Sequence, residues 1–309
     1  MTRRAVVTGG AGFIGSHVVD ALLEAGHEVT ILDDLSTGST RNLNPSARFH
    51  DIDITGPDVD RLLADIGPDV ICHNAAQISV STGQAFPLRD LNVNVAGTLR
   101  LIEYAQRADC RFVHASSAAV YGEPETTPVG EDHPTRPINN YGVSKLAVEH
   151  YLAAYARNGG LNYAALRYAN VYGPRQNASG EAGVVAIFCE ALARGAPVTI
   201  HGDGRQSRDF VFVTDVAAAN LAAASSSVTG VFNIGTGSES DINALYEAVA
   251  TAMGSHARPV HGPPRPGDIE RSVLDPSRAA SELGWRPKVN FRLGLEKTAG
   301  WFLSQARAE

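Results

Sequence analysis

The feature that most constrains the fold is a glycine-rich turn, Gly9-Gly10-Ala11-Gly12-Phe13-Ile14-Gly15. An apolar run over residues 5–8 precedes the turn, and an amphipathic stretch over residues 14–25 follows it. Glycines at these spacings permit a tight turn, a close approach of the backbone to a pyrophosphate, and close packing of a helix on a strand. The order predicts a strand–turn–helix unit that binds a dinucleotide, although a purely structural turn could show the same glycines. The predicted contacts are Gly9, Gly12, Phe13, Ile14 and Gly15.

The end of the second predicted strand, over residues 28–32, carries the acidic pair Asp33-Asp34 about 20 residues after the turn. A carboxylate at this place accepts hydrogen bonds from the adenosine ribose and repels a 2′-phosphate, and no arginine adjoins it. NAD is therefore favoured over NADP, with Asp33 as the ribose ligand. Asp34 is either a second cofactor residue or a cap of the following turn. Ser36, Thr37 and Gly38 complete this part of the predicted cofactor site.

Apolar runs alternate with helix-period segments over the first half of the chain. Further runs at residues 70–73 and 112–115 and an amphipathic segment at 95–108 extend the pattern. This alternation predicts an α/β fold with a Rossmann-type doubly wound parallel sheet. After Gly173-Pro174 the elements become shorter and richer in Gly and Pro. We expect an NAD-binding domain over residues 1–173 and a smaller C-terminal α/β substrate lobe over 174–309, with a segment near 208–234 returning to the first domain.

Composition excludes several function classes. The formal net charge of −7 disfavours a nucleic-acid or membrane-surface binder, and no apolar run is long enough to span a bilayer. The three cysteines are far apart, so neither a disulfide framework nor a metal-ligand spacing is expected. These features predict a cytoplasmic protein with no metal site, no nucleic-acid partner and no membrane partner.

A second motif carries the chemistry. Tyr141 and Lys145 are four residues apart, so a helix places them on one face, where the ammonium favours the phenolate over the phenol. Such a phenolate acts as a general base. Ser116-Ser117 follow a predicted strand, at the sheet edge where a hydroxyl can bond the same substrate oxygen. A Tyr-x-x-x-Lys pair also occurs by chance on amphipathic helices, and it is the combination with the glycine turn and Asp33 that favours a catalytic role.

These residues together resemble the extended short-chain dehydrogenase/reductase family, in its nucleotide-sugar epimerase branch. Further matching segments include Asn94-Val95-Ala96-Gly97-Thr98, Arg167-Tyr168-Ala169-Asn170-Val171-Tyr172-Gly173-Pro174 and Arg265-Pro266-Gly267-Asp268. The similarity runs over essentially the whole chain and is greatest to the UDP-glucose (UDP-galactose) 4-epimerases. It implies an isomerase that interconverts the C4 epimers of a UDP-hexose through a transient 4-keto sugar, with NAD held throughout. It also implies a homodimer formed through helices at 95–108 and 141–156.

The resemblance assigns roles residue by residue. Ser117, Tyr141 and Lys145 are implied as the catalytic set. Additional cofactor contacts are implied at Asp53, Ile54, Ala75, Ala76, Gln77, Asn94, Ser116, Tyr168 and Val171, with Asp51-Ile52 an alternative match to Asp53-Ile54. Asn170, Arg208, Arg265 and Asp268 are implied to hold the nucleotide diphosphate and its ribose. The remaining implied substrate residues are Ser79, Val184, Val185, Thr199, His201 and Ser272.

Alternatives to this activity differ in a few residues. Dehydratase and decarboxylase relatives carry acidic groups after the catalytic hydroxyl, where this chain has Ala118-Ala119, and both branches are disfavoured because a methyl group moves no proton. A UDP-glucuronate 4-epimerase is the runner-up. Two further alternatives are a dehydrogenase that releases its ketone product and a non-catalytic nucleotide sensor. The resemblance to the epimerases implies that the position of Ser272 lines the sugar pocket, where a serine leaves room for an acetamido group, so we expect UDP-N-acetylglucosamine to be tolerated.

Overall fold

The computed structural model describes residues 3–178, 183–265 and 267–308. Its strands, in chain order, are β1 Arg4–Thr8, β2 Glu28–Asp33, β3 Arg48–Asp51, β4 Val70–His73, β5 Arg111–Ser117, β6 Tyr163–Tyr168, β7 Asn170–Tyr172, β8 Thr199–His201, β9 Ser207–Arg208, β10 Phe210–Phe212, β11 Gly230–Ile234, β12 Ser240–Asp241, β13 Val260–Gly262 and β14 Arg271–Ser272. Its α-helices are α1 Phe13–Glu24, α2 Asp58–Ile66, α3 Val80–Ala85, α4 Pro87–Asp90, α5 Thr98–Arg107, α6 Asn140–Gly159, α7 Val184–Ala193, α8 Val213–Ser225, α9 Ile242–Met253, α10 Ser277–Glu282 and α11 Phe291–Ala308.

The main sheet has seven parallel strands in the order β11-β6-β5-β4-β1-β2-β3. The strand order reverses between β1 and β4, and ligands of doubly wound sheets bind in the crevice at that reversal, outside the carboxyl ends of the strands. The predicted α/β doubly wound fold is confirmed. All four predicted strands are present, within two residues of the predicted ends.

Alternate residues of the strands point to opposite faces of the sheet and pack into two apolar layers. Val7 and Ile31 face the layer beneath α1 and α8, whereas Val6 and Leu32 face the layer beneath α2 and α5. All four side chains are fully buried, as expected for strands covered by helices on both faces. This packing fixes the carboxyl edge of the sheet, on which the predicted site residues lie.

Shorter elements after Tyr172 build a separate apolar core around Phe188, Phe212 and Leu245. β8 pairs with β13, and β9 lies between β12 and β14. The chain then returns to the main sheet: α8 packs against α1, and β11 pairs with β6. Throughout the described ranges, every helix is too short or too polar to cross a bilayer.

The helix predicted over residues 95–108 begins differently in the structure. Residues Leu91–Gly97 form a π-helical segment, and regular α-helix begins only at Thr98. The wider turn orients the buried Asn94 side chain, which donates to the Gln77 carbonyl, the Asp90 carboxylate and the Ser144 hydroxyl. π-Helical turns are often found at functional sites.

Candidate active site

Helix α6 positions the predicted base. Its N-cap is Asn139, whose side chain accepts a hydrogen bond from the Gly142 N–H at 2.8 Å, and its C-cap is Gly160 in the left-handed conformation. Tyr141 lies in the first turn and Lys145 one turn later, with the Lys145 ammonium 5.7 Å from the centre of the Tyr141 ring. Lys145 is buried and donates a 2.8 Å hydrogen bond to the Ala115 carbonyl on β5.

Ser117 ends strand β5, where it pairs in register with Tyr168 of β6. Its hydroxyl accepts a bond from the Ala119 N–H and hydrogen-bonds Tyr141. Tyr168 is buried beside it and accepts a 2.8 Å hydrogen bond from the Asn220 amide. The predicted triad of Ser117, Tyr141 and Lys145 therefore comes together at the carboxyl edge of the sheet.

The surroundings shift the acidity of both titratable members of the triad. Burial raises the pKa of Tyr141 to about 12, which the hydrogen bond with Ser117 opposes and the Asp90 charge reinforces. Burial lowers the pKa of Lys145 to about 8, against the opposing charges of Asp90 and Glu149. The charged form of Lys145 favours the Tyr141 phenolate, and NAD bound beside it would add a second positive charge with the same effect.

A buried ion pair lies behind the triad. The Arg167 guanidinium bonds both carboxylate oxygens of Glu149, at 2.5–3.2 Å, and Ser116 donates to the same carboxylate at 2.5 Å. Arg167 also donates to the Tyr121 hydroxyl at 2.8 Å and lies over its ring. This network fastens α6, β5 and β6 to one another next to the reacting groups.

Hydrogen bonds of Asn94 connect the loop after β4 to helix α6. The Asn94 side-chain oxygen accepts from the Gln77 N–H at 2.8 Å, and its amide reaches Ser144 of α6 at 3.1 Å. Gln77 further bonds Asp90 and Ser79. Ala75, Ala76 and Gln77 thus follow β4 at the carboxyl edge of the sheet, beside the β1–β4 reversal.

The glycine-rich turn fits a dinucleotide pyrophosphate. A Cβ on Gly9 would lie 2.6 Å from the Ala75 nitrogen, and one on Gly15 would collide with the Gly9 carbonyl. Helix α1 starts after Gly12 with no side-chain cap, so its first N–H groups are left for a phosphate, with Phe13 and Ile14 in the first turn.

The acidic end of β2 lies against this turn. Asp33 is buried, and its two carboxylate oxygens accept from the Ala11 and Leu35 N–H groups, both at 2.9 Å. Burial raises the pKa of Asp33, although these hydrogen bonds oppose the rise. The remaining lone pairs of the fixed carboxylate can accept two ribose hydroxyls. Gly38 approaches so closely that a Cβ there would lie 2.8 Å from an Asp33 oxygen.

Other predicted cofactor residues lie near this end of the sheet. Asp34 accepts from the Ser36 N–H and hydroxyl, and is therefore placed to cap the turn; Thr37 is exposed beyond it. Asp53 is exposed and bonded to Thr55, whereas Ile54 is buried.

Four of the predicted substrate residues lie on or near strands β7, β9 and β14. Arg208 is paired with Asp268, and Ser272 lies opposite Arg208 in the β14–β9 register. Burial lowers the pKa of Arg208, while the Asp268 and Glu123 carboxylates raise it. Asn170 is exposed at the start of β7, which continues into the half-buried Val171.

The remaining predicted residues are more scattered. Arg265 is exposed, three residues before Asp268, and Ser79 caps α3 through its hydroxyl. Val184 is half-buried at the start of α7, while Val185 is buried in the core of the C-terminal elements. On β8, Thr199 is exposed and His201 contacts the Pro263 carbonyl at 3.2 Å.

Three carboxylates that organise the site were missed by sequence reasoning: Glu149, Asp90 and Asp209. Glu149 stands four residues after Lys145, so helical spacing was a usable signal for its presence on the same face. Asp90 stands four residues before its partner Asn94, so the same spacing was a usable signal there. The side-chain partners of Asp209 lie on distant segments and leave no local pattern. In the described part of the chain, no cluster of His, Cys, Asp and Glu could hold a metal ion.

Comparison with known proteins decides the family. The model of the NAD-dependent epimerase/dehydratase family matches residues 5–235. The chain belongs to this family. Among family relatives, the UDP-glucose 4-epimerase of Mycolicibacterium smegmatis is 46% identical over 98% of this chain and 100% of its own length.

Solved structures of other epimerases superpose over almost the whole chain. The UDP-glucose 4-epimerase of Thermotoga maritima, solved with UDP-glucose, has a TM-score of 0.95 and 43% identity and covers 98% of this chain and 99% of its own. The UDP-N-acetylglucosamine 4-epimerase of Methanobrevibacter ruminantium, in complex with UDP-N-acetylmuramic acid, has a TM-score of 0.94 and 37% identity, with 98% and 99% coverage. NAD is the cofactor of this family, and the turn and Asp33 described above fit it.

Proposed function

We propose that this chain is a UDP-hexose 4-epimerase that interconverts UDP-glucose and UDP-galactose and tolerates UDP-N-acetylglucosamine. The observation that best supports this function is the convergence of Ser117, Tyr141 and Lys145 at the carboxyl edge of the sheet, where β5 lies beside β4. The full-length similarity to UDP-glucose 4-epimerases supports the same activity.

Each residue has a defined task in this reaction. NAD, held by the glycine turn and Asp33, would supply the acceptor and later the donor of the hydride at sugar C4. Tyr141 takes the proton of the C4 hydroxyl and later returns it, while Ser117 hydrogen-bonds the same oxygen. Lys145 stays charged and favours the phenolate. Because Ala118 and Ala119 move no proton, the 4-keto sugar undergoes no elimination or decarboxylation and is reduced again from either face.

Arg208 suits the diphosphate, since its guanidinium is planar, permanently charged and only partly exposed. A firm hold on the diphosphate leaves the sugar free to turn over between the two half-reactions. Ser272 lies directly opposite Arg208, where a small side chain leaves space beside the sugar.

UDP-glucuronate is the alternative substrate. Arg175, which could reach a glucuronate carboxylate, has its guanidinium 2.8 Å from Asp20 on α1. Pairing with a carboxylate does not exclude an anionic ligand, since Arg208 is paired with Asp268 in the same way, so the choice of sugar rests on a panel of substrates.

Incubating the purified protein with UDP-galactose, and separating the products, tests the activity. We expect UDP-glucose to form without added oxidant, and Tyr141→Phe to serve as the inactive control. A panel with UDP-N-acetylglucosamine and UDP-glucuronate then tests the sugar. Release of a free keto-sugar with net reduction of NAD would instead favour the dehydrogenase alternative.

We also propose a cytoplasmic homodimer with a two-lobe division at 173/174. Apolar side chains stand exposed on the segment before α5 and on α6, among them Leu88 at 79%, Leu91 at 55%, Val143 at 52% and Tyr151 at 42%. An apolar patch of this kind marks an interaction surface. Light scattering should give a dimer mass, and Leu91→Asp should give a monomer.

The three cysteines are buried free thiols, as suits a reducing compartment.

A further inference from the structure

Asp209 is a fully buried carboxylate between β9 and β10 that takes no part in the proposed chemistry. Its oxygens accept from the Thr236 N–H at 2.9 Å, the Thr236 hydroxyl at 2.6 Å, the Gly237 N–H at 3.2 Å and the Leu274 N–H at 3.4 Å. Burial raises the pKa of this carboxyl, and the four donors oppose the rise. A buried carboxylate with four hydrogen-bond donors is held rigidly in one position and orientation.

The backbone of Asp209 contacts the substrate side directly. Its N–H donates to the Ser272 carbonyl at 2.8 Å, and its carbonyl accepts from the Asn170 N–H at 2.9 Å. Arg208 is its neighbour in sequence. Three of the residues expected to contact the UDP-sugar are therefore directly linked to Asp209: Asn170 and Ser272 by backbone hydrogen bonds and Arg208 by the peptide bond.

The donors to the carboxylate come from two different parts of the fold. Thr236 and Gly237 follow β11, the edge strand of the main sheet, whereas Leu274 follows β14 of the small sheet. The segment that follows β11 packs closely against Asp209. A Cβ on Gly235 would collide with an Asp209 oxygen and lie 3.1 Å from the Leu274 Cβ.

We propose that Asp209 is a positioning residue that sets the affinity for the UDP-sugar by joining β9, β14 and the end of β11. The inference rests on the proposed function, because it takes Asn170, Arg208 and Ser272 as the substrate residues. Tyr141, the glycine turn and Asp33 lie on other elements, and Val171 is the one predicted cofactor residue on β7, which Asp209 contacts. Asp209 therefore acts on UDP-sugar binding and leaves the chemical step and the main cofactor contacts in place.

The test measures KM and kcat for UDP-galactose, the Kd for UDP, and the NAD content of each variant. Asp209→Asn replaces an acceptor oxygen with a donor facing N–H groups. We expect KM and Kd to rise by about 10- to 100-fold, with a much smaller change in kcat and unchanged NAD content. Asp215→Asn is the matched control, since Asp215 is also a buried carboxylate and accepts from the Val289 N–H at 2.9 Å. It should lower thermal stability without changing KM.

Two milder variants, both at Thr236, keep the test decisive if the Asp209→Asn protein does not fold. Thr236→Val removes the hydroxyl that donates to Asp209 and accepts from the Ser238 N–H, and should raise KM and the UDP Kd roughly two- to tenfold. Thr236→Ser restores the donor and should recover wild-type values. The proposal is overturned if Thr236→Val and Thr236→Ser bind UDP equally well, or if Asp209→Asn lowers kcat at unchanged KM.

The proposed 4-epimerase activity and the proposed role of Asp209 can be refuted independently of each other. If the wild type converts none of the UDP-sugars, the proposed function is wrong, while the UDP Kd series still decides the role of Asp209.

Discussion

The buried Glu149–Arg167 pair offers a quantitative test of how the active site is held together. Glu149→Leu removes the carboxylate and leaves the guanidinium of Arg167, itself only 5% exposed, without a counter-charge. The Tyr121 hydroxyl and the Glu131 carbonyl remain as partners of Arg167, and neither carries a negative charge. The Ser116 hydroxyl also loses its acceptor.

Removing one member of a buried pair costs about 3–5 kcal/mol of unfolding free energy. With an unfolding entropy of about 2.1 cal/mol/K per residue, a chain of this length should lose roughly 5–8 °C in Tm. The double variant Glu149→Leu/Arg167→Met removes both charges. It should recover most of that loss, because no uncompensated ion is left in the interior.

Thermal unfolding at saturating NAD measures both effects in a double-mutant cycle. The control is the exposed pair Arg136–Glu125, whose side chains are 72% and 56% exposed. Glu125→Leu should change the free energy of unfolding by less than about 1 kcal/mol. If Glu149→Leu were no more destabilising than Glu125→Leu, the interior pair would not hold α6 against β5 and β6 as described.

The pH profile of Glu149→Gln gives a second readout. Burial lowers the pKa of Lys145 to about 8, and the Asp90 and Glu149 carboxylates oppose this. Without the Glu149 charge the pKa falls further, so the ammonium loses its proton at lower pH. The alkaline limb of the kcat profile should move to lower pH, and an unmoved limb would exclude this coupling.

Three substitutions test the site residues. Tyr141→Phe should lower kcat by about 10²–10⁴-fold with UDP binding unchanged, and near-normal turnover would remove Tyr141 from the mechanism. Asp33→Ala should weaken NAD binding and relax discrimination against NADP, as measured by cofactor titration; wild-type protein that copurifies with NADP would contradict the assignment. Ser272→Tyr should abolish turnover of N-acetylated UDP-sugars while sparing UDP-glucose, and wild-type conversion of UDP-glucuronate alone would refute the proposed sugar.

Sequence reasoning found the parts of the site whose members are close in the chain. The glycine turn, the acid after β2 and the Tyr141–Lys145 spacing each depend on local geometry, and the structure places them at one sheet edge. The hydrogen bonds that Asp209 accepts from Thr236 and Leu274 depend on which segments become neighbours in the fold. No local sequence pattern predicts which segments these are. The π-helical start before α5 was missed for another reason: apolar spacing alone does not distinguish it from an α-helix.

The late return of β11 to the main sheet has a consequence for synthesis on the ribosome. Strand β6 is complete at Tyr168, but its outer partner begins only at Gly230. At 5–20 residues per second, the ribosome takes roughly 3–12 s to add the intervening segment. During this interval the outer edge of β6 presents unpaired N–H and C=O groups. The nascent chain is therefore exposed to aggregation and to chaperone capture in that window, and a slowly translated stretch between these strands would lengthen it.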